Sequence, residues 1–372
     1  MSEANLPRAE GRAPVSGLRS EGALRRAEGH AGVFGLRSEG ARNERLSDEG
    51  RNRGPEHPEA SGASRVPLVI EDQGHFFTGL QTVTGPAGTS VYGTHVEYQT
   101  PSDARDNLVL VHGGGGQALD MLTTPDGRPG WSTIFLRDGF AVYTVDRPGL
   151  GRSPFHPDVY GPYGAPPAYE GFVATFAAPS PPGLPQHTQW PGSGDRDDPS
   201  LATFLAWQEP FVTDAVRAHE GMRTGAADLL DRIGPSVLLT HSFGGGFGWL
   251  ALSERPHAVK ALVAIEPAGP PFVDHPALGS FSYGLTPVPL AFGPGPGEAK
   301  LDGVPIAVVS AECSGFEPSC RATAEYLRSC GASVDELRLG EIGIHGNGHA
   351  MMLEKNNAEV AAVITDWIVK HT

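Results

Sequence analysis

The stretch Val237-Leu238-Leu239-Thr240-His241-Ser242-Phe243-Gly244-Gly245-Gly246 constrains this chain more than any other. An apolar run ends abruptly in a serine, and glycines follow at once. That order suits a buried strand, a tight turn at the serine, and then a helix. Such a turn holds the serine backbone in a strained conformation and lifts its hydroxyl above the sheet, so its neighbours must be small. Gly244 meets that demand. Thr240 stands where G-x-S-x-G has its first glycine, so the motif depends on its context.

The context begins upstream. Leu108-Val109-Leu110-Val111-His112-Gly113-Gly114-Gly115-Gly116 is a second apolar strand running into a glycine loop. Glycine there leaves the backbone free to approach a substrate oxygen, so the N–H groups of Gly114 and Phe243 are candidates for holding a developing oxyanion. A phosphate-binding loop is the competing reading, but neither G-x-G-x-x-G nor a Walker lysine is present. His112 is expected to brace the loop rather than react.

A general base is offered by Gly343-Ile344-His345-Gly346-Asn347-Gly348-His349-Ala350, after a strand expected over residues 334–339 and before a helix. His345 and His349 compete for the role, and spacing does not choose between them. Two carboxylates compete to orient that base. Glu266 ends a strand expected over 259–265, and Glu312 ends the next, over 306–311.

Further motifs accompany these: Thr124-Pro125-Asp126-Gly127-Arg128-Pro129-Gly130-Trp131, Val145-Asp146-Arg147-Pro148-Gly149-Leu150-Gly151-Arg152-Ser153, His187-Thr188-Gln189-Trp190-Pro191-Gly192 and Glu354-Lys355-Asn356-Asn357. In this order they resemble the bacterial esterase 713-like family of the α/β-hydrolases, over most of the chain from about residue 75 onward. The resemblance implies an α/β-hydrolase fold, a mostly parallel central sheet flanked by helices with proline-rich cap or lid insertions. It also implies a triad of Ser242, Glu266 and the second histidine, His349; on the residues alone Glu312 stays the alternative acid. Some relatives carry cysteines in the oxyanion loop. Glycines stand there in this chain, so no property tied to those cysteines is expected. Phe243 departs from the polar residue expected after the serine.

Composition narrows the function classes. The formal charge of −15 sits almost wholly outside residues 1–65, which hold 11 arginines against 10 acids. An acidic body argues against nucleic-acid or anionic-membrane partners. No window approaches the ~20 apolar residues of a membrane helix. Cys313, Cys320 and Cys330 form no C-x-x-C pair, so a zinc site is not expected and reduced thiols are the default, although Cys313 and Cys320 are close enough in sequence to bridge a loop.

Residues 1–62 read as a disordered leader, with Gly17-Leu18-Arg19-Ser20-Glu21-Gly22-Ala23 recurring as Gly35-Leu36-Arg37-Ser38-Glu39-Gly40-Ala41. They lack the apolar core of a signal peptide. The expected location is therefore cytoplasmic, with export open if the start codon is miscalled.

Residues 63–372 form the expected catalytic domain. Leading antiparallel strands are expected over 76–83 and 91–98, a helix over 131–137, and a strand over 140–145. Residues 154–200 contain 11 prolines and 6 glycines, which suits a lid or binding loop. Residues 268–300 form a second insertion. Trp190, Phe172, Phe281 and Tyr283, with Phe176 beside them, are the candidate pocket aromatics. Apolar steps of three and four from Phe204 to Ile233 mark a helical face that Pro210 should split in two. A last helix over 358–370 should bury Val360, Ile364, Trp367 and Ile368, with an asparagine capping its start.

The expected function is hydrolysis of a small-molecule carboxylic ester by a Ser-His-Glu triad and a backbone oxyanion hole, without cofactor or metal. No nucleic-acid or membrane partner is expected, and a homodimer is left open. Lactone, amide or C–C bond hydrolysis on the same triad is the alternative. A non-catalytic ligand-binding homologue is the rival from another class.

Overall fold

The structure is a computed structural model that describes residues 67–178, 181–275, 279–295 and 299–372. The leader expected over 1–62 lies outside the described residues. Two long strands come first, β1 (Ile70–Gly85) and β2 (Gly88–Pro101). Then follow β3 (Asn107–Val111), α1 (Leu119–Leu122), α2 (Trp131–Arg137), β4 (Ala141–Asp146), α3 (Pro157–Tyr160), α4 (Tyr169–Phe172), α5 (Pro199–Ala206) and α6 (Ala215–Ile233). The second half holds β5 (Ser236–His241), α7 (Gly245–Glu254), β6 (Val259–Ile265), a small ribbon of β7 (Asp274–His275) and β8 (Gly279–Ser280), β9 (Pro305–Ser310), α8 (Glu317–Ser329), β10 (Ser333–Arg338) and α9 (Asn357–His371).

Eight of the strands form one sheet in the order β1-β2-β4-β3-β5-β6-β9-β10. β2 runs antiparallel to both β1 and β4, and every other neighbouring pair is parallel. The chain steps from β3 to β4 on one side, then to β5 on the other. Ligands bind beyond the carboxyl ends of the strands at such a reversal, and the glycine loop and Ser242 both lie there.

β3, β5 and β6 are buried on both faces, so they read as continuous apolar runs rather than alternating ones. Their period of two still sorts the side chains. Leu108, Leu110, Val237, Leu239 and Val263 pack toward Trp131 and Phe135 of α2 and Ile364 of α9. Val109, Val111, Leu238 and Leu262 pack toward Met222 of α6, Phe247 of α7 and Leu327 of α8. Helices on both faces of the sheet complete a three-layer core.

β1 and β2 run past their expected ends, and polar side chains pair across the added lengths, with the Thr84 and Thr89 hydroxyls 3.0 Å apart and Gln99 Nε2 donating to Gln73 Oε1 at 3.3 Å. The helical stripe from Phe204 does divide. α5 begins earlier, where Asp198 caps it by accepting from the Ser200 N–H at 2.8 Å, and α6 begins under an Asp214 cap. In the interruption, the Glu209 N–H donates to Gly115 O at 2.7 Å and ties this connection to the glycine loop.

The expected asparagine cap of the last helix needs correction. Asn356 occupies the position, but its side chain accepts no helix N–H and instead exchanges hydrogen bonds with the Asn347 side chain. Cys313, Cys320 and Cys330 are all buried, and none is joined in a disulfide. Among the described residues no helix is long and apolar enough to cross a membrane.

Asp146, at the end of β4, anchors the connection beyond the glycine loop. Its Oδ1 accepts the Ala118 N–H at 2.7 Å, and its Oδ2 accepts from Arg152 Nε at 2.7 Å and lies 3.3 Å from His95 Nδ1. Burial alone would raise this carboxyl, but His95, the Ala118 N–H and Arg152 hold it well below the usual aspartate range. Asp146→Ala should cost about 2–4 kcal/mol in urea unfolding at pH 7, less than a fully buried pair because Arg152 reaches solvent. A depressed native value stabilises fully above the unfolded value of about 4, and that stabilisation fades as pH falls below it. The gap between wild type and variant should therefore narrow in acid. A gap that stays constant with pH would contradict this role.

Candidate active site

Ser242 follows β5 directly and has φ +51°, a conformation that non-glycine residues rarely hold. Gly244 lets the turn close, since a Cβ there would fall 2.5 Å from His112 O. Thr240, which replaces the usual glycine, is accommodated from the far side. Gly248 of α7 faces it, and a Cβ on Gly248 would lie 3.2 Å from Thr240 Cγ2 and 2.9 Å from Leu262 Cδ1. The space that a strand glycine would have left is supplied by a helix glycine instead.

Glu266 follows β6, the next strand, and also has positive φ, +39°. Register pairs His241 with Ile265, so Ser242 and Glu266 leave neighbouring strands side by side. His349 bridges them. Its Nε2 lies 3.0 Å from Ser242 Oγ and its Nδ1 2.6 Å from Glu266 Oε2. Nδ1 faces a carboxylate and so carries the ring proton, leaving the Nε2 lone pair toward the serine.

Burial pulls His349 below its ordinary value and so favours the neutral ring. Burial also raises the Glu266 carboxyl, opposed by hydrogen bonds to Oε1 from the Ser314 hydroxyl and the Ala311 N–H. His241 Nε2 donates to the His349 carbonyl at 2.9 Å. Phe316 stacks on the His349 ring at 4.1 Å between centroids and Phe176 at 5.7 Å.

The other acid and histidine pair with each other. Glu312 Oε1 accepts from His345 Nδ1 at 3.1 Å and its Oε2 from the Gly346 N–H at 2.9 Å, contacts that hold the carboxyl below its ordinary value. His345 is largely exposed, with a side-chain exposure of 64%. Together they secure the turn leading to His349.

The glycine loop is fixed from beneath. His112 Nδ1 donates to Gly113 O at 2.9 Å, and its Nε2 accepts the Arg147 N–H at 2.9 Å. The buried Arg147 guanidinium donates to the carbonyls of Gly113 and Gly114 and lies over the Phe243 ring, 5.4 Å from its centroid. Arg147 lies within the Val145–Ser153 motif, where the sequence alone assigns it no role. Nothing in its local pattern says that it would be buried.

Residues 106–294 match the family model described as alpha/beta hydrolase fold. The chain belongs to the α/β-hydrolase-fold family. A protein named probable secreted lipase phiG, from Fungal sp. (strain ATCC 74256), is 37% identical over 307 residues, covering 71% of this chain and 81% of that one. A solved structure described as a novel bacterial esterase superposes with a TM-score of 0.65 at 24% identity, covering 83% of this chain and 98% of that one. These matches bear out the α/β-hydrolase resemblance and the fold class. They correct the cytoplasmic location, because a relative aligned over most of this chain is named as secreted.

A cavity of about 520 Å³ opens on the hydrolase's Ser242. Its wall takes in Phe172 and Phe176 from the proline-rich segment, with Phe204, Phe211, Phe243 and Phe316. Three expected pocket aromatics lie elsewhere. Trp190 is buried behind the wall, where its Nε1 donates to Asp198 and its ring packs on Phe204. Phe281 packs on His219 within the core, and Tyr283 is 48% exposed. Each is apolar enough for a pocket, and chain direction sends it away. Phe316 and Asp120 sit in irregular or one-turn segments with no periodic signal, whereas Phe211 belongs to the apolar steps from Phe204, which read as core packing.

The competing acids separate by kinetics. Glu266→Gln should lower kcat for an ester substrate by about 10³–10⁴, whereas Glu312→Gln should stay within about tenfold of wild type. Equal losses in the two variants, with both folded, would contradict the assignment.

Proposed function

We infer that this α/β-hydrolase cleaves carboxylic esters by a Ser242-His349-Glu266 triad. The observation that carries the inference is one continuous relay: Ser242 Oγ 3.0 Å from His349 Nε2, and His349 Nδ1 2.6 Å from Glu266 Oε2. His349 takes the hydroxyl proton as Ser242 attacks the acyl carbon, then passes it to the departing alcohol. Water, deprotonated by the same ring, attacks the acyl-serine; the ring returns the proton to Ser242 as the acid leaves. Glu266 holds the ring in its Nδ1–H form and stabilises the imidazolium in between.

The N–H groups of Gly114 and Phe243 serve as the oxyanion hole in this reading. A trans peptide sends N–H and C=O in opposite directions. Arg147 and His112 grip the Gly113 carbonyl from below, which turns the Gly114 N–H the other way, toward the cavity. The aromatic wall suits a neutral, mostly apolar substrate, and the names of a lipase and an esterase among similar proteins agree with ester chemistry.

Turnover of p-nitrophenyl butanoate tests the reading. The wild type should cleave it, and Ser242→Ala should lose at least about 10⁴ in kcat with an unchanged thermal midpoint. A folded Ser242→Ala enzyme of undiminished activity would remove the triad from the mechanism.

A further inference from the structure

Asp120 lies on α1, just past the glycine loop, and lines the same cavity as Ser242 while being only 6% exposed. Its two oxygens have different surroundings. Oδ1 accepts from Trp207 Nε1 at 2.9 Å and from Gln208 Nε2 at 3.2 Å. Oδ2 has no hydrogen-bond partner among the described residues, yet it is not sealed off as a buried orphan. Gly116 leaves room for it, because a Cβ on that glycine would fall 2.0 Å from Oδ2. A bare carboxyl oxygen therefore sits in a wall otherwise dominated by aromatic rings and glycines.

A substrate that fills the cavity displaces water from this oxygen, and leaving it unpaired is then costly unless the substrate supplies a partner. Burial pushes the Asp120 carboxyl up to about 7, against the hydrogen bonds from Trp207 and Gln208 and the nearby charge of Arg147. Acid and carboxylate forms are thus both populated near neutral pH. An ammonium group would pair well with the carboxylate alone. A hydroxyl accepts from the acid and donates to the carboxylate, so it fits either form.

We propose that Asp120 is a specificity-determining residue whose Oδ2 binds a hydroxyl group carried by the ester, which makes the substrate class hydroxylated esters rather than plain hydrocarbon ones. The proposal rests on the serine-hydrolase reading and adds the feature by which the cavity selects its substrate.

The test compares matched esters on the full chain. On the acyl side the pairs are p-nitrophenyl hexanoate against its 3-hydroxy and 6-hydroxy forms. On the alcohol side, propyl butanoate is set against glyceryl 1-butanoate. At least one pair should favour the hydroxylated ester by about tenfold or more in kcat/KM. In Asp120→Leu that preference should shrink to within about threefold of unity. Wild-type ratios within threefold in every pair overturn the assignment even if the leucine variant does not fold. A preference that survives intact in a folded Asp120→Leu protein overturns it as well. Cleavage of no ester by the wild type takes the serine-hydrolase reading down together with this one, and so is distinguishable from the loss of hydroxyl preference alone.

Discussion

The site depends on how closely the loop after β3 approaches the turn after β5. Ser242 stands in the left-handed region, a conformation that costs free energy and persists only where its surroundings determine it. Those surroundings are cut to fit. Gly244 lies against the His112 carbonyl, and Gly113 lies against His241, where a Cβ would come within 2.6 Å of Nδ1. Arg147 then clamps the Gly113 and Gly114 carbonyls from the buried side. Strand pairing of β3 with β5 brings the two loops into register, and glycine is what allows them to touch.

A second set of contacts holds the histidine. Glu354 is fully buried and accepts from His187 Nε2, Asn347 Nδ2 and the Gly348 N–H at 2.6–2.8 Å. Arg128 donates to the carbonyls of Leu353, Glu354 and Lys355 and to the Asn357 side chain. Trp131 Nε1 donates to Asn357 O, and Lys355 N–H to Gln189 O. The motifs Thr124–Trp131, His187–Gly192 and Glu354–Asn357, far apart in sequence, thus meet in one network behind His349. A buried network of this kind rigidifies when every member is satisfied. It gives those motifs a physical meaning that linear spacing did not provide.

Much of the scaffold was legible because its signals are local. The apolar runs ending in Val111, His241 and Ile265 mark strands, and the glycines after them mark close backbone approaches. Ser242 and the candidate histidines also announced themselves by position. Choosing among rivals was not local. Glu266 and Glu312 both end strands, and only the placement of His345 and Gly346 shows that Glu312 is already engaged. Trp190, Phe281 and Tyr283 have the chemistry of pocket residues but point elsewhere, while Phe316 reaches the His349 ring from an irregular loop. Asn356 had a capping residue's identity, yet a nearby amide competed for its side chain. In each case tertiary geometry decided between options that composition left equal.

The central claim is that Ser242 is an activated nucleophile. Labelling the folded wild-type protein with a fluorophosphonate and mapping the modified peptide by mass spectrometry addresses it most directly. The account predicts about one label per chain, carried on the peptide that contains Ser242. A folded protein that takes up no label, or takes it up at another serine, would contradict it.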